Sequence, residues 1–204
     1  MKAFYLFAVA LLFFAACGSD SDTQKTLNQD EMTAGTDSSD LNTFISKTLF
    51  DSLPVEKLPY TDSISLESFK PLRSLPLGPK QLSLLQVKEL RVFKQYERPL
   101  NDSLFTAVCR LKLSPAFYTV IINYNGQNET MNYILNYDKD FKLIDYMECS
   151  YDELVESALR TRSVIDTQGM TVYFSDIMPE PDFKSNFHYE LSPEGFFRER
   201  LASK

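Results

Sequence analysis

The sequence predicts a mainly β domain, an antiparallel meander preceded by one or two short helices, and three observations carry that expectation. From about residue 87 apolar and polar residues alternate with period two, and β-branched and aromatic side chains fill the apolar positions. The alternating runs are short and bounded by turn formers such as Asn125-Gly126 and Asp138-Lys139-Asp140. Short runs on short loops favour antiparallel neighbours, because a parallel pair needs a long crossover.

The first expected element is a helix over 41–50. Leu41, Phe44, Ile45, Thr48 and Leu49 fall at i, i+3, i+4, i+7 and i+8, and Asp40 is placed to cap it. Residues 51–80 contain Pro54, Pro59, Pro71, Pro76 and Pro79, which remove donors and fix φ, so an irregular wrapping segment is expected. Pro79-Lys80-Gln81 can open one helical turn with Leu82 and Leu85 inward. Leu90, Val92 and Tyr96 then begin the alternation, followed by strands over 104–113, 117–124, 131–137 and 141–148. Residues 150–156 are ambiguous, since Ser150 and Glu153 also fit a capping box. Strands near 160–165, 170–177, 186–191 and 196–201 complete the series, with Gly169 and Gly195 at expected tight turns.

Composition supports one domain over 41–204. Apolar residues make up 44% and aromatics 13% of the chain, enough to fill a core. The net charge is −7. Much of it is expected in 17–40, where Asp20, Asp22, Asp30, Glu31, Asp37 and Asp40 face Lys25 alone. That stretch is polar, has little to bury and reads as a disordered tether. No basic patch is visible to neutralise phosphates, so nucleic acid is not an expected partner.

The first sixteen residues read as an address. Lys2 precedes an unbroken apolar run from Ala3 to Ala16. That run is shorter than the roughly 20 residues that span a bilayer, and it fits the core of a signal peptide. Phe14-Ala15-Ala16-Cys17 resembles the bacterial lipobox, with Phe14 where that family carries an aliphatic residue. The resemblance implies cleavage before Cys17, lipid on its sulfur and a membrane partner reached through that lipid. Gly18 stands where inner-membrane lipoproteins of enteric bacteria carry Asp, so the resemblance favours the outer membrane. Gly18 to Asp22 are also similar to surface-export signals of Bacteroidota lipoproteins. The alternative is an ordinary signal peptide cut elsewhere, with Cys17 a bystander.

Between Met131 and Arg198 the chain resembles small uncharacterised Bacteroidota lipoproteins. The residues that carry it are Asn136 to Asp145, Ser163 to Asp166, Met170 to Val172 and Tyr189 to Phe196. This likeness implies a compartment and a class, and no activity. Asp51-Ser52-Leu53, Asp62-Ser63-Ile64 and Asp102-Ser103-Leu104 likewise resemble the O-glycosylation pattern of that phylum, which would place sugar on Ser52, Ser63 and Ser103.

Few residues point to chemistry. Cys109 and Cys149 form either a disulfide or two buried free thiols, and the inward parity of both positions favours thiols. His188 is the one histidine, and no G-x-S-x-G motif accompanies it. One His and two inward Cys do not build a zinc set, and Asp138 and Asp140 lack the further oxygen ligands of a calcium loop, so neither metal nor other cofactor is expected. Asp145, Glu148, Asp152 and Glu153 lie close together and fit solvated strand ends or a carboxylate pair. The leading expectation is a non-enzymatic, lipid-anchored binding or structural protein with an unknown protein or small ligand. An inhibitor or immunity-type lipoprotein comes second, and a hydrolase using carboxylates third.

Overall fold

The computed structural model describes residues 38–65, 74–91, 93, 101–153, 159–176 and 183–200. The expected signal segment, Cys17 and most of the expected tether lie outside the described residues.

The chain opens with helix α1 (Ser38–Ser52). The helix starts before Asp40, so Asp40 lies within its first turn and the expected capping position is displaced. Ser46, Leu49, Phe50 and Leu53 are buried at i, i+3, i+4 and i+7. Thr48, assigned to the apolar stripe from sequence, is exposed.

The proline-rich stretch is not wholly irregular. It supplies β1 (Val55–Glu56), β2 (Tyr60–Asp62) and β3 (Leu75–Pro76). Proline restricts such pieces to short edge segments, since it gives no ladder donor. Helix α2 (Pro79–Leu84) follows with Pro at its start and Leu82 buried. A 3₁₀ turn at Val87–Glu89 stands where the alternation was expected to begin, and Val92 and Tyr96 of that alternation lie outside the described residues. Val87, Leu90 and Phe93 are buried at intervals of three, which fits the eclipsed i, i+3 spacing of that turn.

The remaining strands are β4 (Phe105–Leu111), β5 (Tyr118–Asn125), β6 (Glu129–Tyr137), β7 (Leu143–Glu153), β8 (Leu159–Asp166), β9 (Gly169–Asp176), β10 (Phe183–Leu191) and β11 (Phe197–Glu199). Residues 150–153 resolve as the end of β7. From β4 to β11 each strand pairs antiparallel with the next. The sheet as a whole is mixed, because β1 pairs in parallel with β4 through Val55↔Arg110 and Glu56↔Leu111. β3 takes another length of β4 at Leu75↔Ala107, and β2 pairs with β8. The expected simple meander is thus corrected. A segment of three residues between β1 and β2 joins the edge of β4 to the edge of β8.

Both faces of β5 and β6 are buried, so these strands lack the apolar–polar alternation of a half-solvated sheet. One face, with Val120, Ile122, Met131, Tyr133, Leu135 and Tyr137, packs under the helices. The Tyr137 hydroxyl donates to the Leu85 carbonyl across 2.8 Å. The opposite face, with Ile121 and Ile134, meets Ile165 and Met170. Each such side chain contributes roughly 1.5–3 kcal/mol by leaving water. A bulge between Ala107 and Cys109 divides β4 between these cores. Phe105 and Ala107 point to the helices, and Cys109 and Leu111 point the other way. Unbroken strand parity would put all four on one face.

β7 and β8 pair only at Tyr151↔Thr161 and Asp152↔Arg160. Beyond that point β8 leaves β7, and β2 occupies its vacated edge at Ser163 to Ile165. β8 to β11 pack over the second face, where Asn136 donates through Nδ2 to the Gly195 carbonyl at 2.7 Å.

Candidate binding surface

The register of β8, β9 and β10 sets their side chains in rows. Arg160, Ser175 and Lys184 form one row, and Arg162, Tyr173 and Asn186 the next. Val164, Thr171 and His188 follow, then Asp166, Gly169 and Glu190. These rows share one face because strand side chains alternate. On β8 the intervening Thr161, Ser163 and Ile165 are buried, while Arg160, Arg162 and Asp166 are exposed. On β10 Lys184, Asn186, His188 and Glu190 are exposed. The face therefore runs from cationic at one end to acidic at the other.

Two open clefts lie along this ladder and share Asn186. One of about 600 Å³ is lined at the basic end by Arg160, Arg162, Tyr173 and Lys184, with Ser63 to Ser65 at its side. The other, about 790 Å³, is lined by Asp166, Gly169, Thr171, His188, Glu190 and Arg200, among others. Gly169 has φ +149°, and a Cβ there would stand 1.9 Å from the Tyr189 carbonyl oxygen. Only glycine permits that close approach.

The cationic side chains are held from below and beside. Arg160 Nε lies 3.0 Å from an oxygen of Asp152, whose side chain is 3% exposed. The Arg162 guanidinium sits 5.0 Å from the centre of the Tyr173 ring, in cation–π range. At the other end Thr171 Oγ1 and His188 Nδ1 share a hydrogen bond of 3.0 Å. Among the described residues no carboxylate bonds the other ring nitrogen, so His188 lacks the orienting acid of a catalytic triad.

A second cluster lies inside the fold around Asp62, which is 2% exposed. Asn132 Nδ2 donates to both carboxylate oxygens at 2.9 and 3.2 Å. Ser150 Oγ and the Cys149 thiol donate to Oδ2, and Tyr60 donates to Oδ1 at 3.2 Å. Asn123 extends the network by donating to Asn132 Oδ1 at 2.9 Å. The cluster ties β2 to β6 and β7 and needs no cation, because five donor contacts replace water around the carboxylate.

Cys109 and Cys149 are free and buried, and the expected alternative of a bond between them is not made. They stand on β4 and β7, with β5 and β6 between them in the sheet. Burial pushes the Cys109 thiol up to about 12, against a lowering hydrogen bond from Tyr60. Burial raises Cys149 well above its ordinary range, and the Asp62 charge adds to it. Burial also raises Tyr60. These thiols are poor nucleophiles at neutral pH.

The four carboxylates singled out from sequence do not converge. Asp145 accepts from the backbone of Tyr146 and Phe197. Glu148 meets Thr161 at 3.4 Å, and burial raises its carboxyl. Asp152 holds Arg160, and Glu153 accepts from the Tyr151 hydroxyl at 2.6 Å. Ser52, Ser63 and Ser103 are all exposed, although Asp62, which precedes Ser63 in its motif, is buried. Cys17 lies outside the described residues. Among those residues no helix is long and apolar enough to cross a membrane, and no group of His, Cys, Asp and Glu is arranged to hold a metal ion.

Arg160, Arg162, Lys184 and Asn186 were not picked out from the sequence. Arg160-Thr161-Arg162 and Lys184-Ser185-Asn186 do show the alternation of a one-sided strand. Their convergence depends on which residues stand opposite, and that is a matter of register.

No protein-family model matches the chain, and no curated protein and no solved structure is significantly similar to it.

Proposed function

We propose that this chain is a lipid-anchored binding protein of the bacterial cell envelope, tethered through Cys17 and presenting the β8–β10 face to a small ligand. The observation that carries the reading is the paired clefts on one rigid ladder, lined by polar side chains and by the Tyr173 ring. A concave surface with few fixed polar groups and an aromatic wall is the ordinary form of a ligand site. The apolar run before Cys17 supports the anchor, and outer-membrane placement rests on Gly18. Acyl chains contribute about 0.8 kcal/mol per buried CH₂, so several of them hold a protein to a bilayer for its lifetime.

Two experiments test this. Metabolic labelling with palmitate should mark the wild-type chain and leave Cys17→Ser unlabelled and released from membranes; an unlabelled wild type removes the anchor. A thermal-shift screen of the mature chain against envelope sugars, peptides, nucleotides and organic acids should yield a ligand whose effect grows with concentration. That effect should be lost in Tyr173→Ala. A screen without any such ligand removes the binding reading. Intact-mass measurement on the native chain checks for sugar at Ser52, Ser63 and Ser103.

A further inference from the structure

We infer that the basic end of the β8–β10 face is an oxyanion site, taking a small soluble ligand through its phosphate or carboxylate group. This rests on the binding reading above and gives it a chemistry.

The charge distribution argues for it. The chain is acidic overall at −7. Nevertheless the 600 Å³ cleft is lined by Arg160, Arg162 and Lys184, and by no Asp or Glu among the described residues. The neighbouring cleft is lined by Asp166, Glu190 and Glu199, with Arg200 as its cation. The two signs are thus separated along three paired strands. Two arginines at i and i+2 on one strand face stand about 7 Å apart, and Lys184 lies about 10 Å across two strand spacings from Arg160. That is a span one oxyanion and its organic carrier can bridge.

The arginines are also positioned. Asp152 engages Arg160 at Nε, one of five guanidinium donors, and Tyr173 supports Arg162 by its ring. Guanidinium forks suit the planar or tetrahedral oxygens of carboxylate and phosphate. Ser63, Ser65 and Asn186 supply neutral donors around the same cleft. At the far end of the ladder the acidic row repels an anion, which fixes the orientation of a ligand with an uncharged or cationic tail.

The test is calorimetric titration of the mature, lipidated chain in neutral detergent at low ionic strength, with inorganic phosphate, sulfate and citrate as probes. Saturable binding of at least one probe is expected, weakened by added chloride. Arg160→Gln and Arg162→Gln should each weaken it about tenfold or more, and the distant Glu190→Gln should preserve or strengthen it. No saturable heat with any probe, or binding that both arginine variants leave unchanged, overturns the inference. A parallel arm adds vesicles of phosphatidylglycerol or phosphatidylcholine to the Cys17→Ser chain. Binding to phosphatidylglycerol vesicles without binding of any soluble anion also overturns it and reassigns the face to a lipid surface. If an uncharged sugar or peptide emerges from the thermal screen and no anion binds, the binding function stands and the oxyanion site falls.

Discussion

Gln86 donates through Nε2 to the carbonyl of Phe141 over 3.2 Å, and this bond joins the two non-glycine residues of positive φ described in the chain. Phe141 occupies the left-handed position of the Asp138–Lys142 hairpin turn, where Asp138 Oδ1 accepts from the backbone of Asp140 and Lys142. Glycine or asparagine suits that position on backbone grounds. The ring explains the choice. It stacks on Tyr118 with centroids 4.8 Å apart and meets Phe50 edge-on.

Phe141→Gly should therefore relieve backbone strain of about 1–3 kcal/mol and lose about 3–5 kcal/mol of aromatic burial. A net destabilisation of about 2 kcal/mol is expected from urea denaturation. A more stable variant would show that the strain outweighs the stack.

The Asp62 cluster should be a stability determinant. Asp62→Ala leaves the donors of Asn132 and Ser150 without an acceptor in a buried interior. Each such group costs about 1–3 kcal/mol, so a loss of at least about 2 kcal/mol is expected. Asp62→Asn should restore part of it. A loss below half a unit on that scale in the alanine variant would mean that water enters and satisfies the donors.

Glu148 gives the pH dependence a sign. Burial raises its carboxyl above the ordinary 4.5. The folded state then holds a proton that the unfolded state has released, and stability falls as pH rises from about 4.5 through the raised folded value. Above that value the burial penalty is complete. Glu148→Gln removes the titration, so its advantage over wild type should be larger at pH 7 than at pH 4. Denaturation curves at both values measure this, and an advantage that shrinks with rising pH contradicts the assignment.

The thiols provide a check on the fold itself. With Cys109 pushed up to about 12 and Cys149 well above its usual range, native protein at pH 8 should alkylate very slowly at both. After denaturation both should label fully, with or without reductant. Labelling that needs reductant would show a disulfide and would require β4 and β7 to approach.

How much was legible in advance varies with the range of the force concerned. The hairpin at Asp138-Lys139-Asp140 was readable because turn chemistry acts over four residues. The helix near 41–50 was readable because its buried face recurs within two turns, although Thr48 and the Asp40 cap were misplaced. The strand expected from about 87 gave way at 87–89 because Leu90 fits a period of two with Val92 and Tyr96 and a period of three with Val87 and Phe93, until something packs against it. The buried role of Asp62 was hidden within what looked like a glycosylation motif, since its partners lie 70 and 88 positions away.

By itself the sequence determined that the chain is mainly β, where its turns fall, and that its apolar content can fill a core. Those properties follow from backbone preference and side-chain period, which are local. Tertiary structure alone decided three things: the parallel seat of β1 on β4, the division of one strand between two cores at the Ala107–Cys109 bulge, and the meeting of Arg160, Arg162 and Lys184. Each depends on register between strands far apart in sequence, and a shift of one residue would send every side chain to the other face.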